Sequence, residues 1–394
     1  MESKRVPEIR FEGFSGDWEV SVLGAFLAES RIKGTDGSVA KKLTVKLWRR
    51  GVVPKEEIYL GSEATQYYIR KSGQFMYGKL DFLNQAFGII PDELDGYEST
   101  LDLPAFDINA KMNPVFLLEY VSLEHFYRYQ GNLANGSRKA KRIHVDNFLK
   151  MPISVPTIEE QEKIGSFFSK LDKATILHQQ NLENLKAKKK GLLQKMFPKE
   201  GEKVPELRFP GFTGEWTSCK LGEIAIITMG QSPSSEYYMT ESNLSNHILV
   251  QGNADMKNGH VVPRIWTSQV TKMAEEGALI LSVRAPVGDI GKTGYKVVLG
   301  RGVAAIEGEN NEFLFQKFEK MKQEGFWNRV STGSTFESIN ATDIKEAIVE
   351  LPNETEQQKI GQFFKQLDDK IALEERELEL LKETKKAFLQ KMFV

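Results

Sequence analysis

The sequence predicts an α+β protein with an internal pseudo-two-fold repeat: two mixed α/β domains joined by two long antiparallel coiled-coil helices. Three observations predict it. VPEIRFEGFSGDWEVSVLG, Val6 to Gly24, returns as VPELRFPGFTGEWTSCKLG, Val204 to Gly222, with 11 of 19 positions identical. Pro156 to Phe197 returns as Pro352 to Phe393, with 22 of 42 identical. Between these blocks lie two stretches of about 130 residues that barely resemble each other. An array of packing units would repeat its whole core; here a constant frame holds two different inserts. The expected segments are an arm (1–24), a first insert (25–155), a central helix (156–197), a linker with the repeated arm (198–222), a second insert (223–351) and a C-terminal helix (352–394).

The helices carry the clearest signal. Ile164, Phe168, Leu171, Thr175, His178, Leu182, Leu185, Lys189, Leu192 and Met196 follow alternating steps of four and three. Ile360, Phe364, Leu367, Ile371, Glu374, Leu378, Leu381, Lys385, Phe388 and Met392 repeat those steps. That is a coiled-coil seam, in helices roughly 60 Å long at ~1.5 Å per residue. Pro156 and Pro352 precede the helices, and Pro198 ends the first because proline cannot donate the next hydrogen bond. Pro198 to Lys203 reads as the linker. The polar seam positions His178, Glu374, Lys189 and Lys385 read as places where the seam frays or meets solvent. Antiparallel packing of the two helices gives the chain the character of a covalent dimer. That is how dimeric DNA readers address two half-sites, and inserts that differ would read different ones.

In the first insert, Gln74 to Tyr77 and Ala86 to Ile90 read as strands and Phe116 to Tyr129 as a helix. Asn135 to Arg142 packs four basic residues and a serine behind an Asn-Gly turn. Arginine and lysine pair with phosphates or guanine edges, and serine donates to either. The second insert is richer in strand signals. Gly277 to Val283 is a buried strand, followed by Arg284 to Gly288. Ser331 to Thr335 occupies nearly the frame position of Asn135 to Lys139; a loop that approaches a backbone or base, and a turn before a short helix, both fit it. The expected DNA contacts are Tyr77, Lys79, Ser137, Arg138, Lys139 and Arg142 in the first insert, and Gln251, Asn253, Arg284, Ser334 and Thr335 in the second.

Composition narrows the classes. With 40% hydrophobic and 27% charged residues the chain is ordinary for a soluble protein. It has no long apolar run and no leader, so neither a membrane span nor a signal peptide is expected. The single Cys219 fits a reducing cytoplasm. The net charge of −1 is unusual for a freestanding DNA binder, so the basic residues are clustered or a partner shares the phosphate contacts. Gly288 to Thr293 imitates a phosphate-binding loop, but Pro286 stands where its first glycine belongs, and a hairpin turn is the better reading. His125, His144, His178, His247 and His260 show no metal-ligand spacing, so no metal is expected. No catalytic constellation emerges.

The chain resembles the specificity subunit of type I restriction–modification systems, along essentially its whole length. The likeness rests on the twofold frame, on P-x-x-x-E-Q-x-K-I-G-x-F-F-x-x-L-D opening both helices (Pro156 to Asp172, Pro352 to Asp368) and on the L-x-K-M-F close. VPE-x-RF-x-GF is similar to the arms of Gram-positive members. The resemblance implies that the inserts are two target recognition domains, each reading one half of an interrupted asymmetric DNA sequence. It implies that the helices set the spacer and dock two methyltransferase subunits, which bring S-adenosylmethionine. It also implies restriction subunits using ATP and magnesium, and a chain that is not itself an enzyme. Ile164, Phe168, Leu171, Leu182, Leu185, Ile360, Phe364, Leu367, Leu378 and Leu381 are the expected coiled-coil and partner positions. The competing class is a coiled-coil interaction scaffold without DNA specificity.

Overall fold

A computed structural model describes residues 5–56, 61–132, 136–137, 140–243, 246–332 and 337–394, with Gly136, Ser137, Ala140 and Lys141 described by their backbone alone. The chain divides into two compact units, Met1–Leu177 with Leu378–Val394, and His178–Glu377. The central helix, Ile158–Met196, and the C-terminal helix, Glu354–Lys391, each give residues to both.

The first unit shows why the frame repeats. Strand Glu19–Val22 of the arm pairs antiparallel with Pro152–Val155 at the end of the insert. Arg10 then forks onto Glu160, which is 1% exposed, with Nε and Nη2 each 2.7 Å from a carboxylate oxygen. Arg10 Nη1 also donates to the Gly16 carbonyl. Phe11 meets Phe167 edge-on, and Lys163 lies over the Phe14 ring. Trp18 is buried against Phe116 of the insert and Phe393 of the C-terminal helix segment. The second unit contains the same clasp. Thr217–Lys220 pairs with Ile348–Leu351. Arg208 forks onto the buried Glu356 with two 2.7 Å bonds and donates to the Gly214 carbonyl. Phe209 meets Phe363, Lys359 covers Phe212, and Trp216 packs with Phe313 and Phe197. Five of the 11 identical arm positions, Arg10, Phe11, Phe14, Gly16 and Trp18, belong to this clasp. Bidentate arginine–carboxylate geometry tolerates no substitute, which accounts for the identity of Arg10 with Arg208 and of Glu160 with Glu356.

The repeated Lys-Ile-Gly has its own cause. A Cβ on Gly165 would stand 2.5 Å from Asn113 Oδ1, the cap of insert helix Pro114–Val121. One on Gly361 would stand 2.9 Å from the Phe313 nitrogen in helix Asn311–Gln323. Each long helix therefore needs glycine where an insert helix begins against it.

Within each unit the two helix segments run antiparallel. In the first, Phe167 packs on Phe388 while Asp172 holds Lys385 at 2.5 Å. In the second, His178 meets Glu374 at 2.7 Å and Lys189 meets Asp368 at 2.5 Å. Ile164, Phe168, Leu182, Ile360, Phe364, Leu367 and Leu378 are buried, and Leu171 and Leu185 are partly buried against the cores. The polar seam positions do not fray. Lys189 and Lys385 are only 13% and 17% exposed and each is ion-paired, while His178 lies between Glu374 and Glu377. Their partners sit on the opposite helix or the insert, where no reading along one helix finds them.

The inserts differ. The first holds a four-stranded antiparallel sheet in the order Leu27–Ser30, Ala105–Ile108, Phe75–Tyr77, Phe87–Ile89. The helix expected over 116–129 is two, Pro114–Val121 and Glu124–Asn132. Ser122 ends the first, its hydroxyl donating to the Leu118 carbonyl. The second insert holds a six-stranded and a five-stranded sheet. Strand Leu279–Ser282, four residues all buried, is flanked by Val303–Gly308 and Ile290–Lys292. No helix among the described residues is long and apolar enough to cross a membrane.

Candidate DNA interface

In the first unit the candidate residues gather where strand Phe75–Tyr77 ends. Tyr77 itself is not at a surface. It is fully buried among Phe82, Phe106 and Phe148, and its hydroxyl donates to the Ile143 carbonyl. Burial pushes its ionisation well upward. Tyr77 is a core residue and cannot reach a groove. Two residues on, Lys79 is held by its backbone between Asp102 and Ile143. Partial burial lowers its pKa, Arg142 and Arg31 lower it further, and Asp102 and Glu29 oppose them. Lys79, Arg142 and Arg31 therefore share one field. Arg142 is tied to Asp102 at 3.1 Å and Arg31 to Glu29 at 2.7 Å. Residues Gly136–Ser137 pair with Ala140–Lys141; Arg138 and Lys139 lie outside the described residues, as does the Ser137 side chain. Sequence reading missed Arg31, since a sheet neighbour leaves no trace in local spacing.

In the second unit several strand ends converge. The Gly300 nitrogen donates to Val250 at 2.7 Å, Val283 to Gly302 at 2.9 Å, and Gln231 to Leu299 at 2.9 Å. Gln251, the 300–303 turn and Arg284 thus lie at one end of the sheets. Arg284 is exposed and bridges antiparallel to Ser338, which bridges in turn to Thr332. This row carries a guanidinium and two hydroxyls. Ser334 and Thr335 lie outside the described residues. Gln251 is half-buried. Its backbone nitrogen is held by Asp255 at 2.7 Å and its side chain donates to the Tyr238 hydroxyl at 2.9 Å. It supports the turn more than it faces solvent. Asn253 opens the short 3-10 helix Asn253–Asp255 and is half-buried.

The loop that imitates a phosphate site has other work. Ile290–Lys292 is a strand, and Lys292 Nζ is taken by Glu312 at 2.7 Å and lies over the Phe315 ring. A cavity of about 400 Å³ nearby is lined by the exposed Lys190 and by four further lysines, Lys186, Lys189, Lys292 and Lys322. Those four are paired with Glu375, Asp368, Glu312 and Asp289. Their charge is already met within the protein, which leaves them poor phosphate ligands. His178, Glu374 and Glu377 do bring three ligand-type atoms within 4.8 Å of one another. Two of these groups come from the other helix, so spacing along one helix could not reveal them.

The family model for the type I restriction modification DNA specificity domain matches residues 108–187 and 213–383, more than half of the chain. The chain belongs to this family. A Methanocaldococcus jannaschii protein, whose name assigns it as the specificity subunit of a type I restriction enzyme, MjaX, is 27% identical over 284 residues. The match takes in 70% of this chain and 65% of that one. The MjaIX specificity subunit of the same archaeon is 22% identical over 192 residues, 46% of this chain and 44% of that one. The chain thus spans two-thirds or less of the curated relatives it matches. Among solved structures, the type I restriction–modification S subunit from M. genitalium shares the fold with a TM-score of 0.65 at 13% identity, over 99% of each chain. A chain from a study of complex assembly and conformational transition of the type I R-M system gives 0.55 at 24% identity, over 95% of this chain and 97% of that one.

Proposed function

We propose that the chain is the DNA sequence-specificity subunit of a type I restriction–modification complex. Each insert reads one half of an interrupted, asymmetric target. The helices fix the spacer and dock two methyltransferase subunits. The chain performs no chemistry itself; S-adenosylmethionine binds the modification subunits, and ATP and magnesium serve the restriction subunits. The setting is the cytoplasm. The observation that carries this reading is one clasp built twice, Arg10–Glu160 and Arg208–Glu356, around two unlike sheets. A frame that stays constant while its inserts diverge is what a reader of two different half-sites requires. Family membership and the basic or hydroxyl side chains at the strand ends support it.

The test is to express the chain with its modification subunit in a host lacking adenine methylation and to sequence the methylome. Methyladenine on both strands of one interrupted, asymmetric motif is expected. A complex that assembles but neither methylates nor binds any sequence preferentially would leave the scaffold reading instead.

A further inference from the structure

At the Gly300–Gly302 tip of the second insert the glycine positions leave little or no room for a side chain. A Cβ on Gly302 would stand 2.1 Å from the Gln251 carbonyl oxygen, and one on Gly230 would stand 2.0 Å from the Gly300 carbonyl oxygen. A Cβ on Gly300 would reach 3.0 Å from Gln251 Cα. The turn closes with the Val303 nitrogen on the Gly300 carbonyl, and the Arg301 nitrogen is held by Ser232 Oγ at 3.0 Å. Backbones from three strands therefore press together around a Gly-Arg-Gly tip, and Arg301 is exposed. Among the described residues Arg301 has no carboxylate partner, and neither has Arg284, beside it across the Val283–Gly302 bond. Many of the described arginines are spent on acids, among them Arg10, Arg31, Arg49, Arg128, Arg142 and Arg208. Two exposed arginines thus stand on strands joined by one backbone bond at a close-packed turn, a placement that suits an anionic or acceptor-rich surface outside the chain.

We infer that Arg301 is a specificity-determining residue of the second insert, reading the acceptor edge of a guanine in its half of the target, with Arg284 beside it. This rests on the function proposed above. A phosphate contact needs only charge, and a flexible lysine supplies it. A guanine O6 and N7 need a planar fork held in place. The glycine-packed turn, anchored by Ser232, supplies that rigidity; among the described residues no bond consumes the side chain itself.

The experiment compares methylomes of the complex carrying wild-type chain, Arg301→Ala and Arg301→Lys. The lysine keeps the charge and the turn and loses the fork, so it guards against a folding defect in the alanine variant. Both variants are expected to lose discrimination at one G·C pair of the half read by the second insert, by about 5- to 150-fold. The other half and the spacer are expected to stay unchanged. An unchanged motif in both variants overturns the inference alone. So does a uniform loss of affinity with a salt slope reduced by about one for Arg301→Ala and restored by Arg301→Lys, which marks a phosphate contact. A wild-type complex that yields no motif and binds no preferred sequence overturns the proposed function, and this inference with it.

Discussion

Replacing Glu119 with glutamine removes a buried charge of the first unit that holds two cations. Its side chain is 0% exposed and accepts from Arg49 Nη1 and Nη2 at 2.7 and 2.6 Å and from Lys385 Nζ at 3.0 Å. Lys385 also holds Asp172, so the network ties an insert loop, an insert helix and both long helices. Glutamine preserves the volume but leaves Arg49, only 18% exposed, without its counter-ion. Breaking one side of a buried pair costs about 3–5 kcal/mol. The lower end applies here, because Lys385 keeps Asp172. For a unit of about 200 residues, ~3 kcal/mol corresponds to a fall in Tm of roughly 6–12 °C. The loss should depend on pH. Burial raises the Glu119 pKa, but the hydrogen bonds and charges of Arg49, with Lys385, outweigh burial and bring it below the usual carboxylate value. Its stabilisation is therefore full above the unfolded-state pKa and fades as pH falls through the lower folded-state value. Thermal unfolding of wild type and Glu119→Gln, followed by calorimetry from pH 7 downward, should show curves that converge in acid. The double variant Arg49→Met/Glu119→Leu should recover most of the loss. A fall under 1 °C at pH 7, or a difference that persists unchanged in strong acid, would refute the reasoning.

The remaining expectations concern the clasp and the seam. Arg10→Ala should destabilise the first unit and Arg208→Ala the second, each by about 3 kcal/mol, because each strands a buried glutamate. Hydrogen exchange should report faster opening in the affected unit only. Lys189→Glu should loosen the second unit by setting two acids against each other, and adding Asp368→Lys should restore it; thermal melts of the four chains should give a coupling of about 1–3 kcal/mol.

The helices were legible because their apolar positions recur every three and four residues, and Ile164, Phe168, Leu182, Ile360, Phe364, Leu367 and Leu378 are buried. The polar seam residues were misjudged because their partners are remote in sequence: His178 finds Glu374, and Lys385 finds Asp172 and Glu119. Tyr77 was misplaced for a related reason. Phe75–Tyr77 is an inner strand buried on both faces, so the alternation that would mark an outward side chain is absent. Arg284, Thr332 and Ser338 look unrelated in the chain, yet antiparallel bridges bring them into one row. Arg301 escaped notice because only the packing of Gly230, Gly300 and Gly302 shows what the turn presents.

The most direct test of a constant frame with two independent readers is an insert exchange. Residues 25–155 are replaced by the corresponding insert of another family member, and the methylome is compared with that of the parent complex. The expected result is a motif changed in one half only, with the other half and the spacer length retained. A change in both halves, or in the spacer, would contradict independent reading by two inserts on one frame.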